Sequence, residues 1–144
     1  MASEATYRGT VYPWQCDHVG HMNIMWYVGK FDEANWNFFA RLGLTPSYLR
    51  QSGRGMAAVQ QTMTYKRELL AGDIIEIEST LLEVRDRSVR FHHEMRNAET
   101  GELAATCEFT GVHVDRQARK SVAFAQAIRD AAMSQLAPSE PEPA

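Results

Sequence analysis

The segment Asp17-His18-Val19-Gly20-His21-Met22-Asn23 sets a carboxylate, two imidazoles and a glycine just ahead of a run with helical spacing. A helix start leaves its first backbone N–H groups unpaired and pointing at whatever precedes them. Gly20 lets another group approach that backbone closely, and Asp17 places a carboxylate near the same spot. A carboxylate beside unpaired amide donors is a base or nucleophile next to an oxyanion hole. The same residues also fit a plainer role, in which Asp17 only stabilises the helix end electrostatically. His18 and His21 match no helical HExxH spacing and have no further ligand nearby, so no metal is expected. Cys16 has no obvious basic partner and reads as a structural, buried thiol at the end of an apolar strand.

The element behind this loop is a long helix. Ile24, Tyr27, Val28, Phe31, Ala34, Phe38, Phe39 and Leu42 recur at spacings of three and four, with Asn23 as N-cap and Gly43 closing the end. Its other side mixes Lys30, Asp32, Glu33, Asn37 and Arg41 with Met25, Trp26 and Trp36. A helix apolar over most of its circumference is covered on more than one side. Ahead of it, Thr6 to Cys16 has a β-favouring composition, and Pro13 points to an edge position. After it, Thr45-Pro46 opens a short second helix.

From Met56 the period changes to two. Met56 to Glu68 is extended, Leu70-Ala71-Gly72-Asp73 is a turn, and alternating strands follow at Ile75–Leu81, Val89–Met95 and Leu103–Val114. Short turns between consecutive strands predict an antiparallel meander with one face covered by the helix, an α+β domain. Val122 to Met133 predicts a terminal helix.

The 144 residues, 16.3 kDa, are one domain's worth of chain. Apolar types at 44% and charged types at 23% exclude a disordered or collagen-like chain. A net charge of −3 argues against nucleic acid as partner, and no apolar run approaches membrane-spanning length. Two cysteines make no disulfide framework, and the first residues carry no basic or apolar leader, so a cytoplasmic location is expected. A single domain over 1–136 and a disordered Pro/Glu tail over 137–144 complete the organisation. Six of the fourteen aromatics crowd residues 26–39.

The loop, with Tyr27 and the stretch Phe31-Asp32-Glu33-Ala34, resembles the hotdog-fold acyl-CoA thioesterases, closest to the 4-hydroxybenzoyl-CoA thioesterase-like branch. Leu42-Gly43-Leu44, Tyr65-Lys66-Arg67-Glu68-Leu69 and Leu70-Ala71-Gly72-Asp73 extend the likeness from about Thr6 to Val114. The resemblance implies an antiparallel sheet of about five strands wrapped around a long central helix. It implies hydrolysis of an acyl-CoA thioester without a cofactor, by a dimer or tetramer whose sheets join edge to edge and whose acyl site lies between subunits. Its loop aspartate falls on Asp17, as nucleophile or as base for water, and its oxyanion donors fall on the backbone around Asn23, Ile24 and Met25. His21 and Asn23 match the loop of plant acyl-carrier-protein thioesterases, whereas Val19 and Ile24 replace two of its asparagines. A non-catalytic acyl-CoA or acyl-carrier binder, and a hydratase or lyase on the same fold, are the alternatives.

Other residues carry weaker signals. Tyr27, Met63 and Tyr65 line an acyl pocket or simply pack, and their bulk favours a short or aromatic acyl group. Arg87, Ser88 and Arg90, with Arg85, grip the CoA phosphates by the resemblance, or form a solvated turn that pairs with Asp86 and neighbouring acids. Lys66 and Arg67 are lesser candidates for the phosphates. His93, on the apolar face of its strand, reads as a satisfied core or interface histidine.

Overall fold

The 18-residue helix α1 (Ile24–Arg41) is the axis about which the rest is built. Its cap forms as the residue types require: Asn23 Oδ1 accepts the Met25 N–H at 3.0 Å. At the other end Gly43 follows Leu42 with φ +95°, a conformation that costs glycine nothing. The computed structural model describes residues 4–137. Around α1 run β1 (Ala5–Thr10), β2 (Arg54–Tyr65), β3 (Ile74–Val84), β4 (Ser88–Asn97), β5 (Leu103–Asp115) and the two-residue β6 (Lys120–Ser121). Two more helices, α2 (Pro46–Ser52) and α3 (Gln126–Gln135), complete the fold. Thr45 caps α2 through its hydroxyl, which accepts the Tyr48 N–H at 3.2 Å.

The sheet order is β1-β3-β4-β5-β2, antiparallel throughout, with β6 on β5. This corrects the expected meander. Only β3, β4 and β5 follow one another as hairpins, whereas β2 lies at the far edge beside β5. The Leu70–Asp73 turn does form, with Asp73 Oδ2 accepting the Leu70 N–H at 2.8 Å. It belongs to a crossing strap rather than a hairpin, tied to Met22 by the Met22 N–H on Leu69 O at 2.7 Å.

Phe31, Ala34, Phe38 and Phe39 bury one side of α1 against the sheet's concave face. Phe91 lies 4.9 Å from Phe38, 5.5 Å from Phe39 and 4.8 Å from Phe109, ring centre to ring centre. Each such buried side chain contributes about 1.5–3 kcal/mol. The expected stripe is interrupted at its start, where Ile24 and Val28 face outward.

His93 is the satisfied core histidine the alternation predicts. Its Nε2 lies 2.7 Å from Asn35 Oδ1 and its Nδ1 2.6 Å from Ser79 Oγ, and burial holds its pKa down to about 3.

Three other expectations shift. The first strand stops at Thr10 and gives way to a 3-10 turn at Pro13–Gln15, because Pro13 cannot extend the ladder. Cys16 therefore sits in a loop and is half-buried. The terminal helix begins at Gln126, later than expected, since Val122 and Phe124 donate their N–H groups to His113 O and Asp86 O. Of the expected tail, Ala137 donates to Leu81 O and is part of the fold, and the rest lies outside the described residues. No helix among the described residues is long and apolar enough to cross a membrane.

Candidate active site

The chain between the 3-10 turn and α1 folds into a small hairpin. The Asn23 N–H donates to Gln15 O at 2.8 Å, the Asp17 N–H to His21 O at 3.1 Å, and the Gly20 N–H to Asp17 O at 3.0 Å. Gly20 adopts φ +100°, which an L side chain would resist.

This hairpin aims Asp17 at the start of α1. Its Oδ1 accepts the Val19 N–H at 2.9 Å, and its Oδ2 accepts Asn23 Nδ2–H at 3.0 Å. Those donors, the Asn23 amide first, hold the carboxyl below the usual carboxylate value of 3.8, with His21 and His18 adding to the effect. Asp17 is thus an ionised, partly exposed carboxylate at neutral pH. Asn23 serves twice, since its Oδ1 caps the helix while its Nδ2 tethers Asp17. The sequence marks Asn23 as a cap, but its second bond spans six residues and depends on the hairpin.

Of the three backbone donors expected near Asn23, Ile24 and Met25, two have partners. The Asn23 N–H binds Gln15 O and the Met25 N–H binds Asn23 Oδ1. Among the described residues the Ile24 N–H is the one left without a protein acceptor, at an exposed position. His21 contributes its carbonyl to the hairpin, while its Nε2 lies 3.6 Å from Glu68 Oε1 on the crossing strap.

Tyr27, Met63 and Tyr65 come together next to this loop. The Tyr27 O–H donates to Arg67 O at 3.3 Å, and its ring stands at 90° to that of Tyr65, 5.2 Å away. Tyr65 O–H points at Met63 Sδ, 3.8 Å off. Burial raises the pKa of both phenols.

The basic turn is different. Arg90 pairs with Glu108 and with Glu83, Arg85 pairs with Glu83, and Asp86 pairs with Arg129. Arg87 Nη1–H donates to Ser121 O and Oγ at 3.3 and 3.2 Å, and Ser88 opens β4 beside it. No group of three or more His, Cys, Asp and Glu side chains among the described residues is placed to hold a metal ion.

Comparison with known proteins agrees with this architecture. The model of the thioesterase-like superfamily matches residues 11–132. An Agrobacterium fabrum protein, L-carnitine dehydrogenase/betainyl-CoA thioesterase, is 32% identical over 112 residues, which are 78% of this chain and 23% of that protein. The chain therefore spans about a quarter of that relative's length. A Staphylococcus aureus protein solved in complex with CoA shares the fold at a TM-score of 0.86 and 20% identity, over 99% of this chain and 92% of that one. A 1,4-dihydroxy-2-naphthoyl-CoA thioesterase from Synechocystis does so at 0.78 and 18%, over 88% and 93%.

Proposed function

The chain belongs to the thioesterase-like superfamily, and from that premise we propose that it hydrolyses an acyl-CoA thioester to a carboxylic acid and CoA, with Asp17 as catalytic carboxylate. The observation that carries this reading is the aligned, ionised Asp17 at the mouth of α1, tethered by Val19 N–H and Asn23 Nδ2–H. A thioester needs little more, because its carbonyl is electrophilic and thiolate leaves readily. Asp17 attacks the carbonyl carbon, or takes a proton from a water that does. The Ile24 N–H receives the developing oxyanion, and collapse of the tetrahedral species expels the CoA thiolate, which is then protonated. In the first case a mixed anhydride forms on Asp17, and water cleaves it. A positioned carboxylate contributes about 10²–10⁴-fold and an oxyanion donor about 10²–10³-fold. His21 supports rather than reacts, fixing the hairpin and facing Glu68.

For the acyl group, the relative named a betainyl-CoA thioesterase points to a short chain ending in a quaternary ammonium. Tyr65, exposed and standing edge-on to the buried Tyr27 ring, is the aromatic side chain of this pair open to such a cation. The decisive experiment is a free-thiol assay that compares betainyl-CoA with its neutral isostere 3,3-dimethylbutanoyl-CoA and with aromatic and medium-chain thioesters. Release of thiol from betainyl-CoA well above the isostere, each corrected for its uncatalysed rate, supports the cationic acyl group. Equal rates leave a thioesterase of another acyl class. Binding without thiol release would make the chain a non-catalytic acyl-CoA binder, and water addition to an enoyl-CoA without thiol release would make it a hydratase.

The active form we propose is a dimer, or a tetramer of such dimers. Among the described residues the twelve-residue strand β2 has a ladder partner on one side only, and Val59 on β2 and Ile24, Met25 and Val28 on α1 stand exposed. Pairing of two β2 edges about a two-fold axis covers both.

A further inference from the structure

Away from Asp17, a cavity of about 300 Å³ opens between the C-terminal half of α1, α2, the start of β2 and the β5–β6 turn. Trp36, Leu49 and Met56 supply its apolar lining, and Arg50, Arg54 and Arg116 its charge. The three guanidinium groups come from three elements, so no sequence spacing announces them.

Their partners are few. Arg54 is paired with Asp115. Among the described residues the Arg116 guanidinium reaches only the Leu49 carbonyl, at 3.4 Å, and its stem lies along Gly55, where an added Cβ would stand 3.4 Å from Arg116 Cγ. Arg50 is exposed and makes no ion pair among the described residues. This is the reverse of the turn at 85–90, where Arg85 and Arg90 are already engaged by carboxylates. Trp36 is half-exposed and packs at 71° against the buried Phe39 ring, 5.6 Å away. Guanidinium groups grip phosphate oxygens in pairs, and an exposed indole is a stacking surface for a purine.

Resting on the acyl-CoA reading above, we propose that this groove is the subsite for the nucleotide end of coenzyme A, with phosphates on Arg50 and Arg116 and the adenine against Trp36. Trp36 lies twelve residues beyond Ile24, about 18 Å along the helix. A group bound there takes no part in the chemistry at Asp17 and anchors the far end of an extended substrate. In a two-fold dimer joined through β2, the antiparallel strands carry the Arg54 end of one to the Tyr65 end of the other. The groove of one protomer then flanks the partner's helix start, so that each substrate spans both subunits.

The test is titration of the full chain with CoA, 3′-dephospho-CoA and pantetheine, followed by tryptophan fluorescence and calorimetry. CoA should bind at least about tenfold more tightly than pantetheine, and Arg50→Gln/Arg116→Gln should abolish that preference while leaving pantetheine unchanged. Arg50→Glu, a single change at an exposed position, should weaken CoA further, and Trp36→Phe should remove most of the fluorescence change. In turnover the double variant should raise KM for acyl-CoA with kcat unchanged and should leave acyl-pantetheine unaffected. Unaltered CoA binding in both arginine variants overturns the proposal, as does loss of CoA binding in Arg87→Gln but not in Arg50→Glu. A wild type that binds CoA through Arg50 and Arg116 yet hydrolyses no thioester sinks the thioesterase reading alone. Hydrolysis indifferent to both arginines sinks the groove alone.

Discussion

Asp17 and Asn23 act as one unit, and the proton on Asp17 reports their coupling. Because its folded pKa lies below 3.8, Asp17 is ionised through the neutral range and loses its charge only as pH falls through that depressed value. The acid limb of kcat/KM should therefore lie below the ordinary carboxylate range. Asn23→Asp keeps an oxygen for the Met25 N–H but replaces the amide donor to Asp17 with a second carboxylate. That variant should remain folded, with an acid limb displaced to higher pH and lower activity. Asn23→Ala should also lose about 1 kcal/mol of stability, read from the urea midpoint, because the cap goes too. Asp17 itself was legible from residue types, as a carboxylate placed just before unpaired amides. The tether was not, since an Asp–Asn bond across six residues exists only once Gln15, His21 and Asn23 have closed the hairpin.

Among the elements, β3, β4 and α1 are joined by a buried polar chain whose protonation matters for stability. His93 is neutral in the fold with a pKa near 3, whereas an unfolded histidine titrates at 6.5. The unfolded chain thus binds the extra proton first, so stability is intact above pH 6.5 and falls as pH drops from there toward 3. His93→Gln should flatten this part of the acid limb in urea melts taken at pH 7.5 and pH 5. Asn35→Leu leaves the buried Nε2–H without its acceptor and should cost about 1–3 kcal/mol. Helices and alternating strands could be read directly, because their periods are local. The place of β2 could not, since its pairing with β5 joins residues such as Arg54 and Asp115, and local turn chemistry at 70–73 says nothing about which edge a strand joins.

In the whole molecule, apolar surface on α1 and the free edge of β2 are left uncovered among the described residues. Six aromatics in 26–39 implied cover on more than one side of α1, yet Trp36 is half-exposed, Ile24, Met25 and Val28 face outward, and among the described residues β2 is paired on one side only. Light scattering after size exclusion should give a dimer or tetramer. Val59→Lys, at an exposed position of β2, should yield monomers with reduced thioesterase activity, because like charges would meet across the joined edges. A fully active monomer would contradict both the association and a site shared between subunits.

Catalysis by the Asp17 carboxylate is tested by single-turnover release of CoA thiol in wild type and Asp17→Asn. The wild type should release thiol rapidly and Asp17→Asn about 10²–10⁴-fold more slowly, with CoA binding retained. Single turnover in ¹⁸O water also separates the two routes, since label in the Asp17 carboxylate marks the anhydride and label in the product acid alone marks direct attack by water. An Asp17→Asn protein that releases thiol at the wild-type rate would show that Asp17 is not the catalytic carboxylate.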